Sequence, residues 1–281
     1  MARRSLRRGG QMVRYRRFSL GGVPVLFANS FPKSGTHLLT QVLGGFTRLG
    51  PAVNSGLQPI ITYQGDTGAQ RSQGEITLDL ERLLPGDIAY GHLHATPENI
   101  QILTQDGFAT SFLLRDPRDV AVSHVYYVAE MEEGHIHHEY YTRTLKSFEE
   151  RLRASILGIP AAAGQNTPVL PDIYQRFAPY LGWLDQPAVL VLHFEDLIGE
   201  RSGSLRAILA HVAQRGFPLS YQDERAIQIL EGSINPDRSP TFRQGRIGVW
   251  KEAFSEEHRV AFKQVTGDLL VRLGYERDES W

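Results

Sequence analysis

Residues 27–39 read FANSFPKSGTHLL and join a short apolar run to a segment with helical periodicity. The apolar run, residues 23–29, predicts a buried strand, and the apolar positions of Thr36–Leu49 repeat at helical spacing. Residues 32–36 therefore predict a strand-to-helix turn. Such a turn directs backbone N–H groups and the positive end of a helix at one point, and Lys33 adds a positive charge there. The stretch thus predicts an anion-binding turn, for which phosphate is the commonest ligand.

The rest of the chain continues this alternation of strands and helices. Strand-like apolar runs are at residues 23–29, 87–93, 110–115 and 188–194. Helical patterns are at residues 36–49, 97–105, 119–131, 147–157, 171–183, 203–214, 223–231 and 256–273. Short apolar strands alternating with helices indicate an α/β fold with a central parallel sheet flanked by helices. Together with the predicted turn, this is a P-loop-like fold of three layers. Two loop-like stretches, residues 52–74 and 232–248, interrupt the pattern, and long loops commonly serve in binding.

The charge of the chain is unevenly distributed. The formal net charge is −1 over 281 residues, but residues 1–17 contain seven arginines and no acidic residue. A basic segment of this kind can bind nucleic acid or anionic lipid, or it can be a solvated tail. Because termini fray unless other contacts hold them, we expect a flexible arm over residues 1–20 and a single domain over residues 21–281.

Composition excludes several classes of site. The chain has no cysteine, so disulfides, thiolate nucleophiles and cysteine-ligated metals are excluded. The first residues lack the apolar core of a signal peptide, and no run of about 18 apolar residues could span a membrane. These features predict a cytoplasmic protein.

The predicted anion-binding turn differs from the Walker A loop of nucleotide triphosphatases. That loop ends in Gly-Lys-Ser/Thr, whereas here Lys33 precedes Ser34 and Gly35. The magnesium-binding arrangement of the Walker motif is therefore not indicated. Taken alone, the turn is compatible with a phosphate site or with an ordinary helix N-terminus.

Two further segments extend the pattern. Residues 111–127 read SFLLRDPRDVAVSHVYY, and residues 242–254 read FRQGRIGVWKEAF. In this order and spacing, the three segments resemble the cytosolic-type sulfotransferase family, over about residues 23–275. The resemblance implies transfer of a sulfuryl group from 3′-phosphoadenosine-5′-phosphosulfate (PAPS) to a hydroxyl or amine of a small-molecule or carbohydrate acceptor. It also implies release of 3′,5′-phosphoadenosine (PAP). The sulfuryl group carries less charge than a phosphoryl group, so no metal is expected, and no nucleic-acid partner is expected either.

The resemblance assigns the co-substrate contacts in three groups. The 5′-phosphosulfate would be held by Lys33, Ser34, Gly35, Thr36 and His37. The 3′-phosphate would be held by Arg115, Ser123, Arg243, Gln244 and Gly245. Gln244 stands where the family has a lysine, which removes one positive charge. Phe194 matches an aromatic residue near the adenine, although a buried core position is an equal alternative.

The resemblance also implies a general base for the acceptor. The family places a histidine about twenty residues before the arginine strand ends, and residues 89–98 here read AYGHLHATPE. The match selects His92, with His94 as the alternative on the same face of an extended strand. Lys33 would stabilise the charge on the departing oxygen. Because an ordinary histidine titrates near pH ~6.5, the rate should rise through that region.

Other interpretations remain at this point. A small-molecule kinase would need Mg²⁺ and a complete Walker motif, and a non-catalytic nucleotide- or RNA-binding protein could use the arginine segment. The histidines of residues 134–139, GHIHHE, could suggest a metal, but a lid over the acceptor pocket is the preferred interpretation. Residues 52–74 and 126–141 are expected to line that pocket. The acceptor itself and the oligomeric state are not predicted.

Overall fold

The computed structural model describes residues 2–161, 168–238 and 245–281. The strands are β1 (Val25–Ser30), β2 (Val53–Asn54), β3 (Ile60–Ile61), β4 (Asp87–His92), β5 (Phe108–Leu114) and β6 (Val189–His193). The helices are α1 (Ala2–Arg14), α2 (Thr36–Leu49), α3 (Gln73–Glu81), α4 (Pro97–Thr104), α5 (Pro117–Tyr126), α6 (Phe148–Leu157), α7 (Ile173–Phe177), α8 (Phe194–Gly199), α9 (Arg201–Gln214), α10 (Glu224–Glu231), α11 (Trp250–Ala253), α12 (Glu256–Thr266) and α13 (Leu269–Arg272). Shorter helical turns are π-type at Tyr127–Met131 and Tyr140–Thr144 and 3₁₀ at Ala178–Trp183 and Pro236–Arg238.

The six strands form one parallel sheet. Its order is β2-β4-β1-β5-β6, and β3 also pairs with β4. In the register, Phe27 lies opposite Ala89 on one side and Thr110 on the other. All residues of β1 and β5 are buried, as expected when helices cover both faces of a parallel sheet. The predicted α/β class with a central parallel sheet is confirmed, and the PKSGT turn follows the central strand.

The chain divides into two compact units, each described here by itself. The first, called the sheet unit, comprises Met1–Thr62, Arg71–Leu114 and Tyr180–Phe242. The second, called the helical unit, comprises Tyr63–Gln70, Arg115–Pro179 and Arg243–Trp281. The prediction of a single domain over residues 21–281 stays a prediction.

The core of the sheet unit packs helices on the apolar strands. Helix α2 buries Leu39, Val42, Leu43 and Phe46 on one face, in the same core cluster as residues of β1, α9 and α10. This stripe is the one that the helical periodicity predicts. The core therefore fixes α2 against the sheet, and with it the turn that precedes α2.

Three predicted strand, helix and loop boundaries differ from the observed ones, because the sequence pattern carries no signal at those positions. The predicted strand over residues 188–194 ends at His193, because Phe194 is the first residue of α8. The predicted helix over residues 256–273 is interrupted at Gly267, whose φ is 49°. The predicted loop at residues 52–74 contains β2 and β3, which are too short to show a periodicity.

The basic N-terminal segment is a helix packed on the sheet unit. Arg4 and Arg8 form ion pairs with Asp87, whose side chain is 0% exposed. Gln11 and Tyr15 donate hydrogen bonds to the carbonyl oxygen of Thr47. These four residues recur at helical spacing, so one face of α1 makes all of these contacts. This helix supplies the cations for a buried carboxylate, whereas the sequence predicts a flexible arm.

We expect loss of both arginines to destabilise the protein. Among the described residues, the double variant Arg4→Ala/Arg8→Ala leaves the buried Asp87 with the Leu84 N–H as its remaining donor. Breaking a buried ion pair in this way costs about 3–5 kcal/mol, and the lower end applies because both arginines are partly exposed. Denaturant unfolding would measure this loss, and Arg3→Ala, on the exposed side of α1, is the control.

A rescue variant makes the cause specific. Adding Asp87→Asn to the double variant removes the uncompensated charge, so part of the lost unfolding free energy should return. If Arg4→Ala/Arg8→Ala unfolds like the Arg3→Ala control, the ion pairs do not stabilise the fold.

Candidate functional site

The turn after β1 has the backbone conformation of an anion-binding turn. Ser34 N–H donates to the Phe31 carbonyl oxygen at 3.2 Å, which closes the turn. Lys33 and Gly35 both have positive φ, at 69° and 94°. Gly35 then serves as the N-cap of α2 and contributes no side-chain cap. The start of α2 therefore relies on groups other than a capping side chain, as helix N-termini that bind anions do.

The hydroxyl of Ser34 supports this interpretation independently. The Ser34 side chain is fully buried, and its Oγ has no hydrogen-bond partner among the described residues. A buried hydroxyl without a partner costs about 1–3 kcal/mol and needs an explanation. An oxygen of an anionic ligand in the turn would accept its hydrogen bond. The residues present therefore fit a phosphate or sulfate group.

A chain of hydrogen bonds links the turn to His92 at the end of β4. Ser30 Oγ lies 2.7 Å from Thr36 Oγ1 and 3.2 Å from His92 Nδ1. His92 Nδ1 also lies 2.9 Å from the Ser30 carbonyl oxygen. A carbonyl oxygen only accepts, so Nδ1 carries the hydrogen and the neutral ring has its lone pair on Nε2. The arrangement therefore leaves Nε2 as the ring nitrogen that can accept a proton.

The backbone after β4 is held in place by a buried amide. The Leu93 N–H donates to Asn29 Oδ1 at 2.8 Å, and Asn29 Nδ2 donates to the Leu93 carbonyl oxygen at 3.0 Å. Trp183 Nε1 donates to the same carbonyl oxygen at 2.8 Å. Asn29 is fully buried, so this pair is shielded from water. This contact fixes the position of His92 relative to Ser30, which lies shortly before the turn.

The surroundings keep His92 neutral at physiological pH. Burial lowers the pKa of His92 to about 4, the bond to the Ser30 carbonyl oxygen opposes this, and His37 and Lys33 lower the pKa further. Burial, followed by the charge of Lys33, also lowers the pKa of His37. With this pKa, a rise in rate that depends on His92 would lie at a pH below the ordinary histidine value.

His94 occupies a different environment from His92. Strand β4 ends at His92, so the assumption that both histidines lie in one extended strand is wrong. The His94 N–H donates to Thr62 Oγ1 at 3.3 Å, and its ring packs edge-on against Tyr180 at 4.9 Å between centroids. Burial lowers the pKa of His94 to about 4, as for His92. The pKa therefore does not distinguish the two candidates, whereas the bond to Ser30 singles out His92.

Phe194 lies in the core and against the turn at once. Its side chain is buried within the hydrophobic cluster of the sheet unit. A Cβ added to Gly35 would lie 2.5 Å from Phe194 Cδ2, so only glycine fits at that position of the turn. The core alternative for Phe194 is observed, and its contact with adenine stays a prediction.

In the helical unit, Asp119 connects Arg115 to the segment before α11. Asp119 accepts from the backbone N–H groups of Gly248 and Trp250 at 2.8 and 2.9 Å. It also pairs with Arg115 Nη2 at 3.3 Å, and that nitrogen donates to the Arg246 carbonyl oxygen at 2.8 Å. The Asp119 side chain is fully buried. The RDPRD stretch offers an ion pair of Arg115 with Asp119 as an alternative to phosphate binding, and this pair is observed. The bonds from Asp119 to the segment before α11 had no signal in the sequence.

The remaining predicted residues of this group are only partly described. Ser123 is a half-buried residue of α5, the helix that follows Arg115. Gly245 has a φ of 60°, which suits glycine at that position. The predictions for Arg243 and Gln244 lie outside the described residues.

Trp250 packs within the helical unit. The guanidinium of Arg118 lies 3.8 Å from the Trp250 ring centroid and 4.5 Å from that of Trp281. The same guanidinium pairs with Asp116 and with Glu276. Two rings and two carboxylates thus hold a nearly buried arginine, and they fix Trp250 next to the backbone groups that Asp119 binds.

The histidine-rich segment forms aromatic contacts. The His135 ring lies 5.7 Å from that of Tyr127 and 5.4 Å from that of His137. The Ile136 N–H donates to the Gly65 carbonyl oxygen at 3.1 Å, so two segments predicted to line the acceptor pocket touch within the helical unit. Within residues 2–161, 168–238 and 245–281, no three His, Asp or Glu side chains group as a metal site would require.

Comparison with known proteins identifies the fold. No protein-family model and no curated protein sequence matches the chain. Retinol dehydratase in complex with retinol and PAP aligns with a TM-score of 0.56 and 16% identity, over 88% of this chain and 81% of that one. Mouse sulfotransferase SULT7A1 complexed with PAP aligns with a TM-score of 0.56 and 16% identity, over 90% and 86% of the two chains.

A third solved structure agrees with these two. Retinol dehydratase with androsterone and inactive cofactor PAP aligns with a TM-score of 0.55 and 17% identity, over 88% of this chain and 80% of that one. The chain therefore has the fold of the sulfotransferases. None of the helices in the described part of the chain has the length and apolarity that crossing a membrane requires.

We expect Asp119→Asn to destabilise the helical unit. An asparagine presents an NH₂ group to donors that Asp119 now satisfies, so at least one buried N–H loses its acceptor. The unfolding free energy should fall by roughly 2–3 kcal/mol, as for a lost hydrogen bond to a charged group. The control is Glu252→Gln, which removes an exposed ion pair with Arg246 and should cost less than ~1 kcal/mol. Equal effects of the two variants would contradict the role given to Asp119.

Proposed function

We propose that the protein is a sulfotransferase that moves a sulfuryl group from PAPS to an acceptor hydroxyl or amine and releases PAP. The observation that carries the proposal is the buried, unpartnered Ser34 hydroxyl in the turn between β1 and α2. Its neighbours supply the other groups that the reaction needs, a cation and a neutral histidine. The PAP bound to two structural relatives supports the choice of nucleotide.

In this proposal, the turn of the sheet unit holds the phosphosulfate end of PAPS. Ser34 Oγ and the N–H groups at the start of α2 donate to its oxygens, and Gly35 leaves room for the backbone to approach. Lys33 places its charge where negative charge builds on the departing oxygen, so it acts mainly in the transition state. Thr36 holds Ser30, and His37 continues the first turn of α2.

His92 is the proposed general base. It is neutral above about pH 4 and its Nδ1–H is bound to the Ser30 carbonyl oxygen, so Nε2 is the nitrogen that accepts the proton of the acceptor. In the balanced step, the acceptor oxygen forms a bond to sulfur and the bond from sulfur to the phosphate oxygen of PAPS breaks. The proton moves to His92, and PAP leaves with the bonding electrons. The chemistry does not call for a metal ion.

The residues for the 3′-phosphate remain predictions from the resemblance. They are Arg115, Ser123, Arg243, Gln244 and Gly245, and Phe194 is the predicted neighbour of the adenine. For Arg115, the bonds to Asp119 and to the Arg246 carbonyl oxygen would hold the guanidinium in one orientation. A fixed guanidinium suits paired donation to phosphate.

The acceptor is proposed to be a small molecule or carbohydrate with a hydroxyl group. Retinol and androsterone, which are bound in structural relatives, are small molecules and support this class. The tyrosine and histidine rings around His135 support a ring-bearing or apolar alcohol. A cytoplasmic location fits such a reaction and stays a prediction.

The Ser34 hydroxyl gives a direct test of the nucleotide site. Ser34→Ala removes a hydroxyl without a protein partner, so the stability of the free protein should not fall. PAP affinity, measured by calorimetry without magnesium, should weaken roughly tenfold or more, because a hydrogen bond to a charged group contributes about 1.5–3 kcal/mol. Ser111→Ala is the matched control, since Ser111 on β5 is also buried with an unpartnered Oγ.

Two results would overturn parts of this assignment. One is PAP binding that is equal in Ser34→Ala, Ser111→Ala and the unmodified chain, which would remove Ser34 from the nucleotide site. The other is stabilisation by ATP with magnesium but not by PAP, which would indicate a kinase-like nucleotide site instead.

Substitution of His92 tests its proposed role as the general base. General-base catalysis contributes about 10²–10⁴-fold, so His92→Ala should lose kcat on that order while it still binds PAP. His94→Ala should lose far less. Sulfation of a generic phenol can serve as the assay until the acceptor is known.

The pH dependence of kcat/KM for PAPS follows from the lowered pKa of His92, because kcat/KM reports the free protein. The neutral form accepts the proton, so kcat/KM should be independent of His92 ionisation at neutral pH and should fall only as the pH approaches about 4. Circular dichroism at each pH would separate this loss from unfolding. A fall in kcat/KM centred near pH ~6.5, the ordinary histidine value, would show that the His92 environment differs from the one described.

A further inference from the structure

The outward face of α1 carries exposed apolar side chains. Leu6 is 76% exposed and Val13 is 81% exposed, and they are seven residues apart, which places them on one side of the helix. Phe18, just beyond the helix, is fully exposed. Single exposed apolar residues are normal on protein surfaces, but three within one short N-terminal segment indicate an interaction surface.

The inward face of α1 fixes which side chains point outward. Arg4 and Arg8 are bound to the buried Asp87, and Tyr15 donates to the Thr47 carbonyl oxygen. The helix therefore cannot rotate to bury Leu6 against the sheet unit without breaking these contacts. The outward face is a fixed feature of the folded protein.

Arginines flank the apolar residues on the same side. Arg3 and Arg14 are exposed and eleven residues apart, close to three helical turns, so they lie on the same side of α1, next to the stripe of Leu6 and Val13. Arg16 is also exposed, at a φ of 52° that ends the helix. No acidic residue lies within residues 1–17, so the surface favours an anionic partner.

We propose that α1 docks the protein on an anionic lipid surface. The arginines would bind lipid phosphates and carboxylates, and Leu6, Val13 and Phe18 would enter the boundary between headgroups and acyl chains. A nucleic acid would satisfy the arginines but would leave the aliphatic side chains in water. A 13-residue helix would lie along such a surface. This inference does not depend on the proposed sulfotransferase activity.

Vesicle flotation of the full chain tests the proposal. The protein should float with vesicles that contain phosphatidylserine and not with pure phosphatidylcholine vesicles. Leu6→Ser/Val13→Ser should weaken binding roughly tenfold or more. Arg3→Gln/Arg14→Gln should weaken it about 25-fold, at about fivefold per arginine near an anionic surface. All four positions are exposed, so thermal unfolding should be unchanged.

Matched controls come from elsewhere in the sheet unit. Leu78→Ser removes a leucine that is 62% exposed on α3, and Arg201→Gln removes an exposed arginine on α9. Neither should alter vesicle binding. The proposal fails if the protein does not float with anionic vesicles, or if the α1 variants bind them like these controls.

Two partial results would also overturn it. If only the arginine pair matters for vesicle binding, α1 does not insert its apolar face. If the protein binds duplex DNA or RNA through the arginines but does not bind vesicles, the surface is a nucleic-acid interface.

Discussion

The candidate site depends on the buried amide of Asn29, which joins the ends of strands β1 and β4. Its side chain pairs with both backbone groups of Leu93 in the interior of the sheet unit. This two-point contact sets the position of His92 relative to Ser30. The turn follows Ser30 closely in the chain, so this contact fixes both the histidine and the proposed anion-binding turn. A shift of either strand would separate the proposed base from the turn.

Two buried carboxylates organise the rest of the fold in a similar way. Asp87 pairs with Arg4 and Arg8 and accepts a hydrogen bond from the Leu84 N–H. Asp119 pairs with Arg115 and accepts hydrogen bonds from two backbone N–H groups. A buried carboxylate is costly unless charged and hydrogen-bonding partners surround it. In the sheet unit, the partners of Asp87 therefore hold α1 on strand β4. In the helical unit, the partners of Asp119 hold the segment before α11 on α5.

These long-range contacts also explain what the sequence could and could not predict. The turn at residues 32–36 and the main strands were predictable, because apolar periodicity and turn residues are local signals. The helical state of the arginine segment was not, since its partner Asp87 lies 79–83 residues away along the chain. The end of β4 at His92, and so the different settings of His92 and His94, likewise depends on pairing that no local pattern shows. The low pKa of His92 follows from burial, which is a property of the folded structure.

The low pKa of His92 bears on how the proposed site would work. A base with a pKa of about 4 is in its unprotonated form at physiological pH, but it is a weak base. Part of the lowering comes from the charges of His37 and Lys33, and the larger part comes from burial. An anion bound in the turn would offset the charge of Lys33, so the charge contribution would weaken while burial remained. On the proposed function, the bound phosphosulfate would therefore strengthen the base just when the acceptor has to be deprotonated, and it would couple co-substrate binding to proton transfer.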